Sequence, residues 1–521
     1  MAKVAFTAPH RRAAEIGFEI LKEGGTAVDA MVAAAAAIAV VYPHMNSLGG
    51  DGFWLIQKPG KAPVAIDACG NAGSLAKISE YQAQGLSNRG GRACITMAGT
   101  VAGWQLAREW AGIKNGFPLA RLLGPAQELA AQGIKATESL QRASEKTFAE
   151  LKELNHFASI FLPAGKTLVV GDTVKNPGLA DMLEHLHRSD LGLRDFYQGD
   201  ISSSIASGLR AADSPITHAD LQQYQAEMVT PLSATTSKGQ LFNMVAPTQG
   251  VASLMILALY DRLYQSHWSE AQRVHHLVEC TKLAFEIRDR EVCDRRAMTT
   301  PAQEYLEPTR LDQMALQVDA QRAAPWPKQA LPGDTVWLGA LDRDGTLVSF
   351  IQSVYWEFGS GLVIPDLGLV WNNRGISFAL EAGHHNALAP GKKPLHTLNP
   401  ALALLNDGRR FSYGTMGGEG QPQTQAALFT RHIYQQIPLA DAIAQDRWLL
   451  GRTWGESSNN LKLEQTLYED IGPALSKQGH DIEALPSGSE SMGHAGGIIV
   501  SSNGDVQVAT DPRSDGAALM A

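Results

Sequence analysis

The sequence predicts an α+β protein: helical patterning dominates the first 300 residues, and short strands dominate after residue 335. Three observations carry this reading. Residues 11 to 42 place apolar side chains at helical spacing, and Gly24-Gly25 divides them into two packed helices, since a glycine pair suits a helix end followed by a fresh start. Residues of about 120 to 300 alternate helical stretches such as Gln272 to Asp289 with short loops and show no fixed repeat, so they read as a helical layer. From Thr335 the character changes. Thr335 to Leu341, Leu347 to Tyr355, Gly368 to Trp371 and Ile498 to Val500 read as short strands separated by Gly or Asp turns.

Between the first helices and the middle layer lies Pro43-His44-Met45-Asn46-Ser47-Leu48-Gly49-Gly50-Asp51-Gly52, which leads into a strand at Phe53-Trp54-Leu55-Ile56. Tight backbone packing is the usual reason for such glycines. Phosphate cradling is the other use, but the order here is helix, loop, strand, opposite to what a P-loop needs. Residues 309 to 334 are irregular, with Ala323-Ala324-Pro325-Trp326-Pro327 and Leu331-Pro332-Gly333 breaking both helix and strand patterns, and form the linker candidate of the chain.

Bulk composition narrows the function. The 521 residues are 44% apolar and 19% charged, an ordinary globular balance. The net charge of −9, without a dense Lys/Arg stripe, gives no footprint for neutralising phosphates, so no nucleic-acid partner is expected. The first ten residues lack the apolar core of a secretory signal, and a cytoplasmic protein is the expectation. The longest apolar run, Ala30 to Tyr42, is alanine-rich and shorter than the ~20 residues of a bilayer crossing; it reads as a buried helix, and no membrane association is expected. Cys69, Cys94, Cys280 and Cys293 show no C-x-x-C spacing and read as free thiols in a reduced compartment.

Chemistry concentrates at Thr335. A threonine at the first position of a strand, directly after a Pro-Gly-Asp linker, is what a self-processed nucleophile needs, because cleavage before it frees its own α-amino group. With an ordinary pKa of about 7.7–8, that amine can take the hydroxyl proton without a histidine partner. Gly-Asp-Thr before a strand is also a common turn. Histidine pairs offer little else. His275-His276 sits in a helical stretch beside Glu279, where adjacent residues face different ways, and His384-His385 lies in a polar loop. His44 and His494 read as structural. No metal or organic cofactor is expected.

Ordered motifs along nearly the whole chain add to this. They are Gly24-Gly25-Thr26-Ala27-Val28-Asp29-Ala30, Pro43-His44, Gly49-Gly50-Asp51-Gly52-Phe53, Ala98-Gly99-Thr100-Val101-Ala102-Gly103, Asp220-Leu221 with Tyr224 and Pro231, Phe358-Gly359-Ser360-Gly361, Asn372-Asn373, Gly417-Gly418 and Asp511-Pro512-Arg513. With them the sequence resembles the γ-glutamyltransferase family of N-terminal-nucleophile hydrolases. The resemblance implies a four-layer αββα sandwich, built from a large chain 1–334 and a small chain 335–521 of one autoprocessed precursor. It implies a heterodimer of those chains, which can pair again. Thr335 falls on the family's processing threonine, followed by the turn Asp342-Arg343-Asp344-Gly345. Ser353 stands where the family has a hydroxyl beside the nucleophile, and Gly417 and Gly418 match the glycine pair of its oxyanion hole.

The sequence departs from that family where a glutamyl group would be held. Cys69 stands where the transferases have the arginine that grips the α-carboxylate, Arg374 and Ser377 replace polar and acidic groups that bind the α-amino group, and His396-Thr397 replaces a serine pair. An ammonium would be repelled by Arg374, whereas a carboxylate would be bound. The implied substrate is therefore a small anionic amide, held by Arg374, His396, Thr397 and Tyr355. The family branch with this altered pocket implies oxamate, cut to oxalate and ammonia in purine catabolism. Trp337, Tyr355, Trp356 and Trp371 either fill space near the nucleophile or serve as core aromatics. The alternatives are a γ-glutamyltransferase or hydrolase, a glutaryl-type acylase, and a binding protein on the same fold that never matures.

Overall fold

A computed structural model describes residues 3–112, 116–326, 334–451 and 458–521. The strands of its two large sheets are, in chain order, β1 (Ala5–Ala8), β2 (Asp51–Gln57), β3 (Val64–Ala68), β4 (Glu227–Val229), β5 (Leu232–Thr236), β6 (Gly239–Asn243), β7 (Asp334–Leu341), β8 (Leu347–Tyr355), β9 (Ala401–Leu405), β10 (Arg410–Gly414), β11 (Gly496–Val500), β12 (Val506–Thr510) and β13 (Ala517–Met520). One sheet has the order β13-β1-β7-β8-β2-β3-β4 and the other β12-β11-β10-β9-β6-β5. Neighbouring strands run antiparallel throughout both.

Side-chain alternation along each strand sorts the core into layers. In β7, Val336, Leu338 and Ala340 join the cluster formed with helices α1 (Arg11–Lys22) and α2 (Ala27–Val41), while Trp337 and Leu341 turn inward to meet the second sheet. In β2, Trp54 and Ile56 face the helices, and Phe53 and Leu55 face the second sheet. On the far side, Leu241, Ala401, Ala403, Phe411 and Ile499 pack under helices α3 (Gly250–Leu263) and α4 (Glu270–Glu291). Helix, sheet, sheet, helix: the αββα sandwich is the observed fold.

Local chemistry explains the flanking helices. The Gly24-Gly25 break separates α1 from α2, and α2 opens with a capping box in which Thr26 and Asp29 satisfy each other's backbone N–H groups. All fifteen residues of α2 are buried, as expected of a helix that is apolar all round, and its run of alanines lets it lie close to the sheet. The following turn is a packing device: a Cβ at Gly49 would strike the Val370 carbonyl and one at Gly50 the Ser353 carbonyl.

Two expectations need correction. Residues 120 to 300 are not only a helical layer, because β4, β5 and β6 lie within them and belong to both sheets. Their polar alternation (Leu232-Ser233-Ala234-Thr235-Thr236) and short length hide them beside long helical runs. The linker is also shorter than 309 to 334. Pro308–Ala315 is helical, with proline in the first turn, where it costs no hydrogen bond. His275, Glu279 and Lys282 of α4 then anchor the next stretch, binding the Asp319 carbonyl (2.7 Å), the Ala324 N–H (3.0 Å) and the Ala324 carbonyl (2.6 Å). Residues 327–333 lie outside the described residues.

Strands from either side of residue 335 interleave. β7 pairs with β1 and β8 with β2, so the first sheet cannot close without both segments.

Candidate active site

Because neighbouring strands are antiparallel, the start of β7, the end of β8, the start of β2 and the end of β3 meet at one edge of the first sheet. Alternation turns Thr335, Ser353, Asp51 and Asp67 toward the space between the sheets. All four are at most 1% exposed.

Thr335 Oγ1 accepts a hydrogen bond from Gln421 Nε2 at 3.3 Å, and Gln421 Oε1 is fixed by the Asn399 N–H at 3.2 Å. Opposite, the β7–β8 register shifts between Gln352 and Tyr355. This bulge re-aims the end of β8. Ser353 Oγ accepts the Tyr355 N–H at 2.7 Å, Ser353 pairs with Asp51 in register, and Tyr355 pairs with Asp334. Tyr355 has φ 85°, which is unusual for a bulky side chain and marks strain held by its surroundings. The strained backbone directs the ring onto the Arg374 guanidinium, 3.6 Å from the ring centroid.

Gly417 and Gly418 follow β10 with φ 113° and 53°, a backbone that glycine adopts without penalty. Gly418–Gly420 forms a tight turn that runs into helix α5 (Gln421–Phe429), whose Pro422 is in the first turn. The pair therefore sits at a helix N-terminus, where N–H dipoles favour negative charge. Gln249 Nε2 pins this turn to the segment at Thr397 by donating to the Gly418 carbonyl (2.8 Å) and the Thr397 carbonyl (2.7 Å). Arg288 supports it from behind, reaching Gln249 Oε1 at 3.0 Å and Glu419 at 2.8 Å.

Arg374 is 1% exposed. Its Nη1 donates to Thr397 Oγ1 at 3.2 Å, and its backbone N–H to Asn372 Oδ1 at 3.0 Å. Nε and Nη2 are buried without a hydrogen-bond partner among the described residues. These two nitrogens form one edge of the planar fork, the edge that matches a carboxylate bidentately. Burial lowers the Arg374 pKa to about 10, with Tyr355 and Asp51 acting in the opposite sense, so the group stays charged at neutral pH.

His396 uses its ring within the protein. Its Nδ1 accepts the Leu398 N–H (3.3 Å) and its Nε2 bonds Asp51 Oδ2 (2.9 Å), so both ring nitrogens are used within the protein. Burial holds its pKa well below the usual value, and the cations Arg374 and Lys393 add to this, so the ring is neutral. Burial pushes the Asp51 carboxyl up to about 7, opposed chiefly by Arg374 and the Gly70 N–H. Cys69 is buried in the same wall with its thiol pKa raised well above normal, by burial first and Asp67 second. Asp67 itself is neutralised by Arg295 and Lys393, the latter at 2.9 Å.

Sequence reasoning named Thr335, Ser353, Tyr355, Arg374, Thr397 and both glycines, and the fold brings them to one end of the sandwich. It missed Gln421, Asp51 and Lys393. Asp51 carried a signal, as an acid inside a glycine turn; Gln421 and Lys393 carried none. Of the aromatics, Trp337 and Trp371 are core residues whose indole N–H groups meet Ser349 Oγ (2.9 Å) and the Thr96 carbonyl (3.0 Å). His44 bonds Ser139 Oγ at 3.0 Å and packs on Tyr42. His275, Glu279 and His480 offer ligand atoms within 4.8 Å of one another. Lys282 already neutralises Glu279 at 2.7 Å and His275 Nε2 is spent on Asp319, which leaves this group a poor cation site. All four cysteines are free and buried. No helix among the described residues is long and apolar enough to cross a membrane.

An αββα sandwich with a buried threonine heading a central strand, bonded by Gln421 of the helix that follows a glycine pair, defines an enzyme of the N-terminal-nucleophile amide hydrolase class. Comparison with known proteins gives the family. Residues 13–521 match the gamma-glutamyltranspeptidase family, to which the chain belongs. It is 50% identical over 516 residues to the oxamate amidohydrolase proenzyme of Klebsiella pneumoniae, covering 98% of this chain and 97% of that one. It is 34% identical to the glutathione hydrolase-like YwrD proenzyme of Bacillus subtilis, over 99% and 98% of the two chains. Among solved structures, the cephalosporin acylase from Bacillus halodurans superposes with a TM-score of 0.90 at 28% identity, covering 99% of this chain and 96% of that one.

Proposed function

We propose that this protein cuts itself between Asp334 and Thr335 and then hydrolyses a short amide whose carbonyl carries an adjoining carboxylate, with oxamate as substrate and oxalate and ammonia as products. The observation that carries the reading is the open Nε/Nη2 edge of buried Arg374. Tyr355, on which that guanidinium lies, pairs with Asp334 beside the nucleophile, so a bound carboxylate has only a short reach to Thr335. The naming of the Klebsiella relative supports the same substrate.

In maturation, Thr335 Oγ1 adds to the Asp334 carbonyl carbon, the C–N bond breaks and frees the Thr335 α-amine with Asp334 held as an Oγ1 ester, and water hydrolyses that ester to release the Asp334 carboxylate and restore the Thr335 hydroxyl. Chains 1–334 and 335–521 then stay together through their interleaved strands. In turnover, the amine takes the hydroxyl proton as Oγ1 adds to the substrate carbonyl. The Gly417 and Gly418 N–H groups stabilise the oxyanion, Ser353 orients the nucleophile, and ammonia leaves with the proton. Water then attacks the oxalyl ester and releases oxalate. Thr397 holds Arg374 in place.

The test is ammonia release from oxamate against anilide release from a γ-glutamyl anilide. Turnover of oxamate with little or none of the anilide is expected; the reverse would assign the glutamyl chemistry of other family members. Two further outcomes follow from the geometry. Gly417→Ala has space for its Cβ but is strained at φ 113°, so it tilts the oxyanion donors. It should lower kcat about 10²-fold or more while leaving KM nearly unchanged. The second concerns pH. Asp51 ionises near 7, among Arg374, His396, Lys393, Asp67 and the Gly70 N–H. Above that pH its negative charge opposes an incoming carboxylate, and below it the opposition fades. The inhibition constant of oxalate should therefore fall as pH drops through about 7, and Asp51→Asn should flatten that dependence. An equal slope in both proteins would remove Asp51 from the site's electrostatics.

A further inference from the structure

A buried guanidinium and a buried carboxyl whose charges act on each other ordinarily pair, since charge-assisted hydrogen bonds are the strong ones. Arg374 and Asp51 are such groups, yet the binding edge of Arg374 is open. The reason lies in what holds Asp51. Oδ1 accepts the Gly70 N–H at 2.8 Å, and Oδ2 lies 2.9 Å from His396 Nε2. Because His396 Nδ1 is an acceptor for the Leu398 N–H, Nε2 is the protonated nitrogen and donates to Asp51. The ring is itself fixed: the His396 N–H binds the Pro247 carbonyl (2.9 Å), the His396 carbonyl takes the Gln249 N–H (3.0 Å), and Phe53 stands edge-on at 4.8 Å.

Resting on the carboxylate reading above, we propose that His396 is a positioning residue: its Nε2–H holds Asp51 off Arg374 and so keeps the guanidinium edge free for the substrate. Without that donor, Asp51 turns to Arg374 and competes with the substrate carboxylate. His396 then does not touch substrate.

The experiment is oxamate kinetics at pH 8 on matured protein, with maturation checked by mass spectrometry. His396→Leu keeps the volume and loses the donor; KM should rise about tenfold or more with a smaller change in kcat, as expected when one charge-assisted contact becomes a competitor. His396→Gln, which can place an amide donor near Nε2, should keep most of the affinity. The deciding variant is His396→Leu/Asp51→Asn, which removes the competitor together with the lock. Its KM should return to within about threefold of the original, whereas a merely structural histidine gives a double variant at least as impaired as His396→Leu, because independent losses accumulate. Asp51→Glu supplies a second route: a carboxylate one methylene longer comes closer to Arg374 with His396 in place and should also raise KM. An unchanged KM in Asp51→Glu, or no rescue in the double variant, overturns the proposal. Arg374→Ala separates the two readings: if KM does not respond to it, the carboxylate assignment itself falls, and if it does respond without rescue in the double variant, only the lock falls.

Discussion

Thr335→Ala should leave the 521-residue chain in one piece and without amide hydrolase activity, while the unaltered protein separates into 1–334 and 335–521 on a denaturing gel. The expected loss is about 10⁴-fold or more, because in the proposed chemistry the same hydroxyl is the nucleophile for both maturation and turnover. Folding should survive, since the change removes a hydroxyl and a methyl and costs one 3.3 Å hydrogen bond from Gln421. Thr335→Ser keeps the hydroxyl and should still mature. If the mass of the unaltered protein shows no break between Asp334 and Thr335, the self-processing reading fails and a binding protein on this fold becomes the better account.

Arg374→Ala should raise KM for a carboxylate-bearing amide about 30-fold or more and leave maturation intact. Truncating one partner of a buried, hydrogen-bonded charge pair costs roughly 2–5 kcal/mol, and each 1.4 kcal/mol is a factor of ten. Arg374→Lys should recover little of this. A point charge cannot present two parallel N–H groups to a carboxylate, and it loses the flat contact with the Tyr355 ring. An uncharged amide of similar size should be nearly indifferent to both changes. Equal loss for charged and neutral amides would show that Arg374 supports the fold and not the ligand.

Much of this site is legible in the sequence. Thr335 stood at a strand head after helix-breaking residues, and strand alternation alone puts it on the same face as Trp337. The glycine pair is marked by its place in an ordered set of motifs, and Arg374 and Thr397 as departures from the pattern those motifs define. What sequence could not supply was the state of each group. Nothing local says that Arg374 keeps two nitrogens unpartnered, because that depends on Thr397 taking only the third. His396 looked like a substrate ligand by position, yet its ring is consumed by Asp51, which lies 345 residues away in the chain. Gln421 reaches Thr335 across 86 residues and carries no motif of its own.

The sequence by itself determined the elements that local physics controls: the buried alanine helix, the glycine turn where two carbonyls exclude a Cβ, and the strand at whose head Thr335 lies. Only the tertiary structure decided which side chains meet. It folded β4, β5 and β6 out of a segment that reads as helical, set strands from both sides of residue 335 next to one another, bonded His396 to Asp51, and left two Arg374 nitrogens without a partner among the described residues. Periodicity and capping act over a few residues, whereas pairing of buried charges is settled by contacts between segments far apart in the chain, where the cost of leaving a polar group unsatisfied selects one arrangement.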